Sequence, residues 1–555
     1  MSFKSKITTQ QALILEWIGI ILPISIACIS LGINFWQANK GLIMYDEAWY
    51  LYLLKDLPHG LSSQFHLLLK NVFNGDIFLL RCGVILSNII GSVIFSFGLY
   101  SLFKVQLKLR CVDYFLLWAF TVASVFSVVI MCFSYLSLNI FVTQVGLGLI
   151  FWGLSLKNSL KSTPLIFLGG SSLGFLTFIM FTNTPIFLLV VIGIYYLSED
   201  STKFKNCLYF SLGILFSIAL YFLFFESYEL FVSSLKTAIV KTAHNQYASN
   251  HGLKAMIWWS FKAIQYVIED VFPALMFSFG LYYVLDRYRN RIISILLSFF
   301  LLLMLGIYCY YSILNNKHGI ASVTPFYTLY IFYILLLFLE EKQSLKENIG
   351  YLFMGVIILP FILSLGTDVD FKVRASVYMP LILPFIFLST RILREKKIYY
   401  FILLGFFTLY FAVNIFKLTR SNWGDTVYSK QTFAVKTLGI SQNIYLDKDK
   451  FDILSDLQTK THKYDSVIMS DQIFWGYSYL LDLKPISYDF RFNEEEILSN
   501  LTHQSIGNRL VLLASADKPL DSLFFNKIKN IIKIDSITSQ KFALGIVYVC
   551  YKSGH

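Results

Sequence analysis

Met44-Tyr45-Asp46-Glu47-Ala48-Trp49-Tyr50 follows closely on the first long apolar run of the chain, residues 13–35, and sets two adjacent carboxylates among aromatic side chains. Trp and Tyr gather where a helix leaves the hydrocarbon core, so the stretch reads as an acid pair at a membrane surface. A solvated loop that happens to carry two acids would give the same dipeptide, because surface carboxylates are common. The rest of the chain has to decide between them.

Composition settles the solvent. The chain has 555 residues, of which 56% are hydrophobic, 17% aromatic and only 14% charged, with a mean hydropathy of +0.62. That is too apolar for a soluble globular protein and describes a polytopic α-helical membrane protein. The formal charge of +12 would suit nucleic acid only if the basic residues formed a patch. They are instead scattered between apolar segments, as topology signals and contacts to anionic lipids are, so no nucleic-acid partner is expected. Cys28, Cys82, Cys111, Cys132, Cys207 and Cys309 fall in or beside apolar segments, and Cys550 lies alone in the polar tail. None has the spacing of a thiolate metal site or of a disulfide framework. The first apolar run lacks a small-residue cleavage pattern and reads as a retained helix.

Lys4 and Lys6 precede that first span and place the N-terminus in the cytoplasm by the positive-inside rule. The Asp46-Glu47 loop is then outside. Later apolar segments fall near 78–103, 112–133, 139–156, 164–181, 185–198, 206–226, 264–285, 292–313, 321–339, 349–366, 376–391 and 398–418. With the first they make about thirteen spans of near-bilayer length. The charges alternate with this count. Expected inside loops carry Lys104, Lys108 and Arg110, then Lys157 and Lys161, Lys203 and Lys205, Arg287 and Arg289, Lys342 and Lys346, and Arg391 and Arg394, whereas the short outside turns 134–138 and 182–184 carry no Lys or Arg.

An odd number of spans sends the tail outside, and hydropathy falls sharply after Arg420. Two domains are expected: 1–419, a membrane domain that includes an amphipathic first outside loop at 36–77, and 420–555, an extracytoplasmic α/β domain. In the tail, Val467-Ile468-Met469, Leu510-Val511-Leu512-Leu513 and the run 544–549 have strand length, while 474–481 and 494–501 read as helices. Two further outside loops hold polar groups. The loop 227–263 carries Lys236, Lys241, His244, His251 and Lys254 ahead of Trp258-Trp259, and the loop 366–374 ends in Lys372 and Arg374. Trp258-Trp259 reads as an interfacial belt.

The unusual polar groups thus gather at one face: the acid pair, Arg81 at the head of the second span, and cations in two loops. An ion-coupled carrier would place ionisable residues near the midplane, but the spans hold few charges, among them Glu16 and Asp113 near predicted ends. A site at one interface suits a substrate that is half lipid. For a sugar carried on a polyprenyl phosphate, transfer needs a carboxylate to take the acceptor's proton and cations or a metal to hold the leaving phosphate.

At the level of these residues the chain resembles a known family. Tyr45-Asp46-Glu47-Ala48-Trp49-Tyr50, followed by Gly75-Asp76-Ile77-Phe78-Leu79-Leu80-Arg81 leading into the second span, resembles the bacterial GT-C glycosyltransferases related to protein O-mannosyltransferases and to the aminoarabinose transferase of lipid A. The span count with a periplasmic α/β tail resembles that architecture as well. The resemblance implies a bacterial inner-membrane enzyme with a polyprenyl-phosphate-sugar donor, an extracytoplasmic lipid, glycan or protein acceptor, and inversion at the anomeric carbon. It implies that Asp46 is the catalytic base, that Glu47 supports it or helps bind a divalent metal, and that Arg81 belongs to the frame around the active-site loop. One departure stands out. Where such proteins usually show Thr-Lys after a Gly-rich span, this chain has Gly169-Gly170 and Gly174 and then Thr182-Asn183-Thr184-Pro185, so Lys241, Lys317 or Arg374 would have to substitute at the donor phosphate.

Each candidate has a plainer alternative. Glu47 could be a base, a metal ligand or a partner for Arg81. Arg81 and Arg374, at the ends of spans, could be snorkelling interface anchors instead of phosphate contacts. His66, His244 and His251 could join a carboxylate at a metal, though lone loop histidines are usually solvated, and the metal ligands stay unassigned. Two other activities also fit an interfacial site: a polysaccharide or lipid transporter, and a ligase or polymerase using diphosphate-linked oligosaccharides.

Overall fold

The computed structural model describes residues 9–42, 44, 46–56, 77–125, 135–156, 159–179, 183–243, 378–392, 400–412 and 430–552, with short breaks inside the last two ranges, and scattered single positions between 261 and 359. The spans expected at 264–285, 292–313, 321–339 and 349–366 lie almost wholly outside the described residues. The chain divides into two compact units, one of Met1–Asn34, Ile85–Val129 and Tyr135–Leu418, the other of Phe35–Val84, Ile130–Ser134 and Thr419–His555.

The helices of the first unit and its borders are α1 (Thr9–Gln37), α3 (Ile77–Phe103), α4 (Cys111–Val125), α5 (Tyr135–Ser155), α6 (Ser159–Gly174), α7 (Leu176–Ile179), α8 (Ile186–Leu197), α9 (Lys203–Phe224), α10 (Tyr228–Ala243) and α11 (Met379–Ile392). Among the described residues, five helical stretches are long and apolar enough to cross a membrane: Glu16–Gln37, Ile77–Phe103, Leu136–Ser155, Leu160–Ile179 and Lys203–Phe224. Shorter apolar helices follow the same composition at Cys111–Val125, Ile186–Leu197, Met379–Ile392 and Leu403–Ala412. This is a multi-pass membrane protein. Large apolar side chains such as Trp17, Ile21, Leu188, Leu215 and Phe224 stay exposed, which is stable only where the surrounding medium is itself apolar.

Between helices in hydrocarbon there is no hydrophobic drive to associate, so close backbone packing and hydrogen bonds have to supply it. Gly98 of α3 and Gly148 of α5 meet backbone to backbone. A Cβ on Gly98 would run into the Gly148 carbonyl, and one on Gly148 into Ile94 and Phe95. Gly98→Ala should therefore force the two helices apart at a cost of about 1–3 kcal/mol, read as a lower melting temperature in detergent; an unchanged melt would mean that the contact contributes nothing. Asn139 of α5 donates to the Tyr378 hydroxyl at 3.1 Å and accepts from Thr143 at 3.3 Å.

The two charges expected near span ends both find partners. Asp113 caps α4 by accepting from the Arg110 backbone N–H at 2.7 Å. Its other oxygen lies 2.8 Å from Arg391 of α11, whose guanidinium also lies over the Phe387 and Tyr400 rings. Glu16 pairs with Arg110 at 2.9 Å on the exposed surface. Both pairs join groups that positive-inside counting puts at the cytoplasmic end, so they act as ties between helix ends.

The second unit contains α2 (Asp46–Asp56) and, after residue 430, β1 (Phe433–Val435), β2 (Ile444–Leu446), α12 (Lys448–Lys460), β3 (Ser466–Met469), α13 (Phe474–Leu480), β4 (Lys484–Pro485), α14 (Glu494–His503), β5 (Arg509–Ser515), α15 (Ser522–Ile532), β6 (Ile534–Phe542) and β7 (Gly545–Lys552). The five-stranded sheet has the order β4-β3-β5-β7-β6. β3 pairs in parallel with β4 and β5, and β7 antiparallel with β5 and β6. The expected strands near 467, 510 and 544 and helices near 474 and 494 are β3, β5, β7, α13 and α14. Ile468, Ile497, Leu512, Phe524 and Ile528 belong to one buried cluster, which seats α14 and α15 on the sheet. Two helices begin on carboxylate caps: Asp447 accepts from Lys450 N at 3.0 Å, and Asp521 from Leu523 N at 3.2 Å. Such caps satisfy N–H groups that the first helical turn leaves open.

Candidate active-site segment

The quoted stretch becomes the start of a helix. Asp46 is the first residue of α2 and Glu47 the second. Ala48, Leu51 and Tyr52 are buried, so one face of this short helix packs inward and the surface-lying amphipathic piece expected from the sequence is, at its N-terminal half, a packed element of the second unit. The Asp46 side chain is outside what the structure describes. The backbone that carries it is fixed from three directions.

Arg81 makes the first attachment. Its Nε and Nη2 donate to the two Glu47 carboxylate oxygens, each at 2.7 Å. Nη1 donates to the carbonyls of Ala38 at 3.0 Å and Lys40 at 2.9 Å, and Nη2 also to that of Gly41 at 2.9 Å. A guanidinium has five N–H donors, and these five bonds use them all. The two side chains are 2% and 1% exposed. A snorkelling arginine would put its head in water; this one is inside, facing the segment that leads to Asp46. A bidentate Arg–carboxylate fork fixes orientation as well as distance, so the pair sets the rotation of α2 about its own axis.

The second attachment is to β2. Gly41 N donates to Tyr445 O at 2.8 Å and Tyr445 N to Asn39 O at 3.2 Å, a strand-like rung that the Lys40 ammonium covers by sitting 4.3 Å from the Tyr445 ring centroid. Gly41 has φ +60°, and a Cβ there would collide with Gln431, so the turn between rung and acid pair needs glycine. The third attachment is to α13. Gly476 N donates to Met44 O at 2.9 Å, the Tyr52 hydroxyl donates to Leu483 O at 2.9 Å, and the Tyr52 ring stands edge-on to Trp475 and Tyr479 at 5.4 and 5.3 Å.

The structure therefore joins two of the five candidates, Glu47 and Arg81, and puts Asp46 beside them in the chain. Arg81 and Glu47 pair with each other, one of the roles open to Glu47 from the sequence. Arg81 has no N–H left over for a phosphate, and its charge is matched by Glu47. Glu47 presents both oxygens to the Arg81 guanidinium. Among the described residues no group of three or more His, Cys, Asp or Glu could hold a metal ion. Lys241 lies near the end of α10, in the first unit, with its side chain outside the description. Arg374, Lys317, His66, His244, His251, Trp258 and Trp259 lie outside the described residues. Asn183, standing where the resemblance leads one to expect lysine, is fully buried in the turn before α8, and among the described residues neither its Oδ1 nor its Nδ2 has a hydrogen-bond partner.

Sequence reasoning missed Asn39, Lys40, Gly41, Tyr52 and Gly476 as parts of this arrangement. Most act through backbone groups, which leave no chemical signature. Gly476 left one, a glycine inside the aromatic helical run Phe474-Trp475-Gly476-Tyr477, the usual mark of a close approach.

No family model matches the chain, and no curated protein matches it. Among solved structures, the oligosaccharyltransferase of Archaeoglobus fulgidus, crystallised with an acceptor peptide containing the NVT sequon tethered by a disulfide bond, is similar over 96% of this chain and 74% of that one, with a TM-score of 0.40 and 11% sequence identity. A likeness of that size assigns neither residues nor chemistry.

Proposed function

We propose that this protein is a membrane glycosyltransferase that moves a sugar from a polyprenyl-phosphate donor to an acceptor hydroxyl on a lipid, glycan or protein, at the extracytoplasmic face of a bacterial inner membrane. The observation that carries the reading is the division of the acid pair. Glu47 is consumed by Arg81 in a buried fork, which leaves Asp46, at the head of the same helix, as the carboxylate for chemistry. A protein that needed only a solvated loop would not spend a fully committed arginine on its geometry.

In this mechanism Asp46 accepts the proton of the acceptor hydroxyl as that oxygen bonds to the anomeric carbon. The bond from that carbon to the phosphate oxygen breaks, and its electron pair leaves with the polyprenyl phosphate. The acceptor enters opposite the leaving group, so the anomeric configuration inverts. Lys241 and Arg374 are the cations proposed for the leaving phosphate; Arg81 and Glu47 hold the base in place.

The test uses wild-type protein in proteoliposomes, a panel of radiolabelled polyprenyl-phosphate sugars and a cell-envelope extract as acceptor. Label moving into an acceptor is the expected result. Label moving only from diphosphate-linked oligosaccharides would replace the donor assignment with that of a ligase or polymerase. Donor crossing the bilayer without any new glycosidic bond would replace the enzyme with a transporter.

A further inference from the structure

The C-terminal sheet and the acid pair belong to one compact unit. We infer that Gly476 is a positioning residue for Asp46: the domain's α13 fixes the backbone of Met44, two residues before Asp46, by a contact only glycine allows. The inference rests on the proposed role of Asp46 for its kinetic part and on geometry alone for the rest.

Met44 is two residues before Asp46, and its carbonyl accepts from Gly476 N at 2.9 Å. At that distance the two backbones touch. A Cβ on Gly476 would overlap the Met44 sulfur, come within 2.8 Å of the Met44 Cα and within 3.1 Å of its Cβ. The Cα cannot be moved by a rotamer change, so an added methyl group displaces the main chain that leads into Asp46. Met44 and Gly476 are both buried in the second unit. On the same side, Tyr52 ties α2 to the end of α13 through its hydroxyl and through its ring contacts with Trp475 and Tyr479. The stretch just before Met44 is held by Arg81 through the carbonyls of Ala38, Lys40 and Gly41. Asp46 is thus suspended between a clamp from α3 and a clamp from the sheet domain. A base must stand within hydrogen-bond reach of the proton it takes, and a misplacement of about 1 Å can cost roughly 100-fold in rate.

The experiment compares Gly476→Ala, Gly476→Ala with Met44→Ala, and Tyr52→Phe, each as the full chain in detergent. Amide hydrogen exchange is followed over Ala48–Asp56 and over β3, β5 and β7, alongside kcat and donor KM. Gly476→Ala should speed exchange in α2 while the strands keep their protection, and lower kcat about 10- to 100-fold with KM unchanged. Removing the Met44 side chain in the double variant should restore part of both. Tyr52→Phe, which deletes one hydroxyl without changing packing, should speed exchange in α2 roughly two- to tenfold. Wild-type exchange and kcat in Gly476→Ala would overturn the inference. So would loss of protection in the strands as early as in α2, or an unchanged α2 in Tyr52→Phe. If the wild type transfers no sugar, the proposed function fails and the exchange data alone decide this inference.

Discussion

Asp46→Asn should lower sugar transfer by about 10²- to 10⁴-fold, the range expected when a general base is removed, with donor binding and the melting temperature close to wild type. The amide keeps the size of the carboxyl and removes only the ability to take a proton at neutral pH. Asp46 heads α2, and the Arg81 fork is made to the neighbouring carboxylate, Glu47. Glu47→Gln gives the contrast. It touches the fork directly and should lower stability as well as rate. Equal transfer by wild type and Asp46→Asn, with Glu47→Gln inactive but folded, would reverse the two roles and make Glu47 the base. Transfer unaffected by either would remove the acid pair from the chemistry.

The membrane part and the sheet were legible for the same reason: their signals are periodic or compositional. A run such as that from Ile77 to Phe103 has one reading by length and hydropathy, and β3, β5 and β7 lie where apolar runs of strand length fall between polar segments. β6 was not legible. Its run Ile534–Phe542 is an edge strand exposed along nearly its whole length, so no buried face imposes an alternation on its sequence. The helix α15 was legible in principle, since Phe524, Ile528 and Ile532 recur every four residues and all are buried.

At the candidate site the sequence showed which groups carry charge and offered Arg81 as one possible partner of Glu47, but did not decide among the roles open to Glu47. Arg81 and Glu47 are 34 positions apart, and the three carbonyls that complete the arginine's shell come from Ala38, Lys40 and Gly41. Any residue offers a carbonyl, so no pattern announces them. The first loop also packs in one unit with the C-terminal residues, through contacts such as Met44 with Gly476 that span more than four hundred positions. Such contacts are set by tertiary packing, and hydropathy along the chain carries no trace of them.

Arg81→Ala should be the most damaging single change in the second unit. Breaking a buried ion pair by deleting one partner costs about 3–5 kcal/mol, because the remaining charge stays buried without compensation. Here three backbone carbonyls lose their donor as well. Set against the roughly 5–15 kcal/mol that hold a typical domain together, this should unfold the Asp46 segment or the unit with it. The opening free energy from amide exchange over Ala48–Asp56 is the direct measurement. Replacing both partners, as in Arg81→Met with Glu47→Leu, removes the charge penalty and should be milder than Arg81→Ala, yet it cannot reach neutrality, since the carbonyls of Ala38, Lys40 and Gly41 remain unpaired and each costs about 1–3 kcal/mol if water does not enter. Arg81→Lys separates the two readings of this residue. A lysine keeps the point charge that a phosphate contact needs but has three donors in place of five and no planar fork. If Arg81 held the leaving phosphate, Arg81→Lys would keep much of the activity and nearly all of the stability. If it holds the segment, Arg81→Lys should lose stability of α2 and rate together, and raising the donor concentration should restore neither.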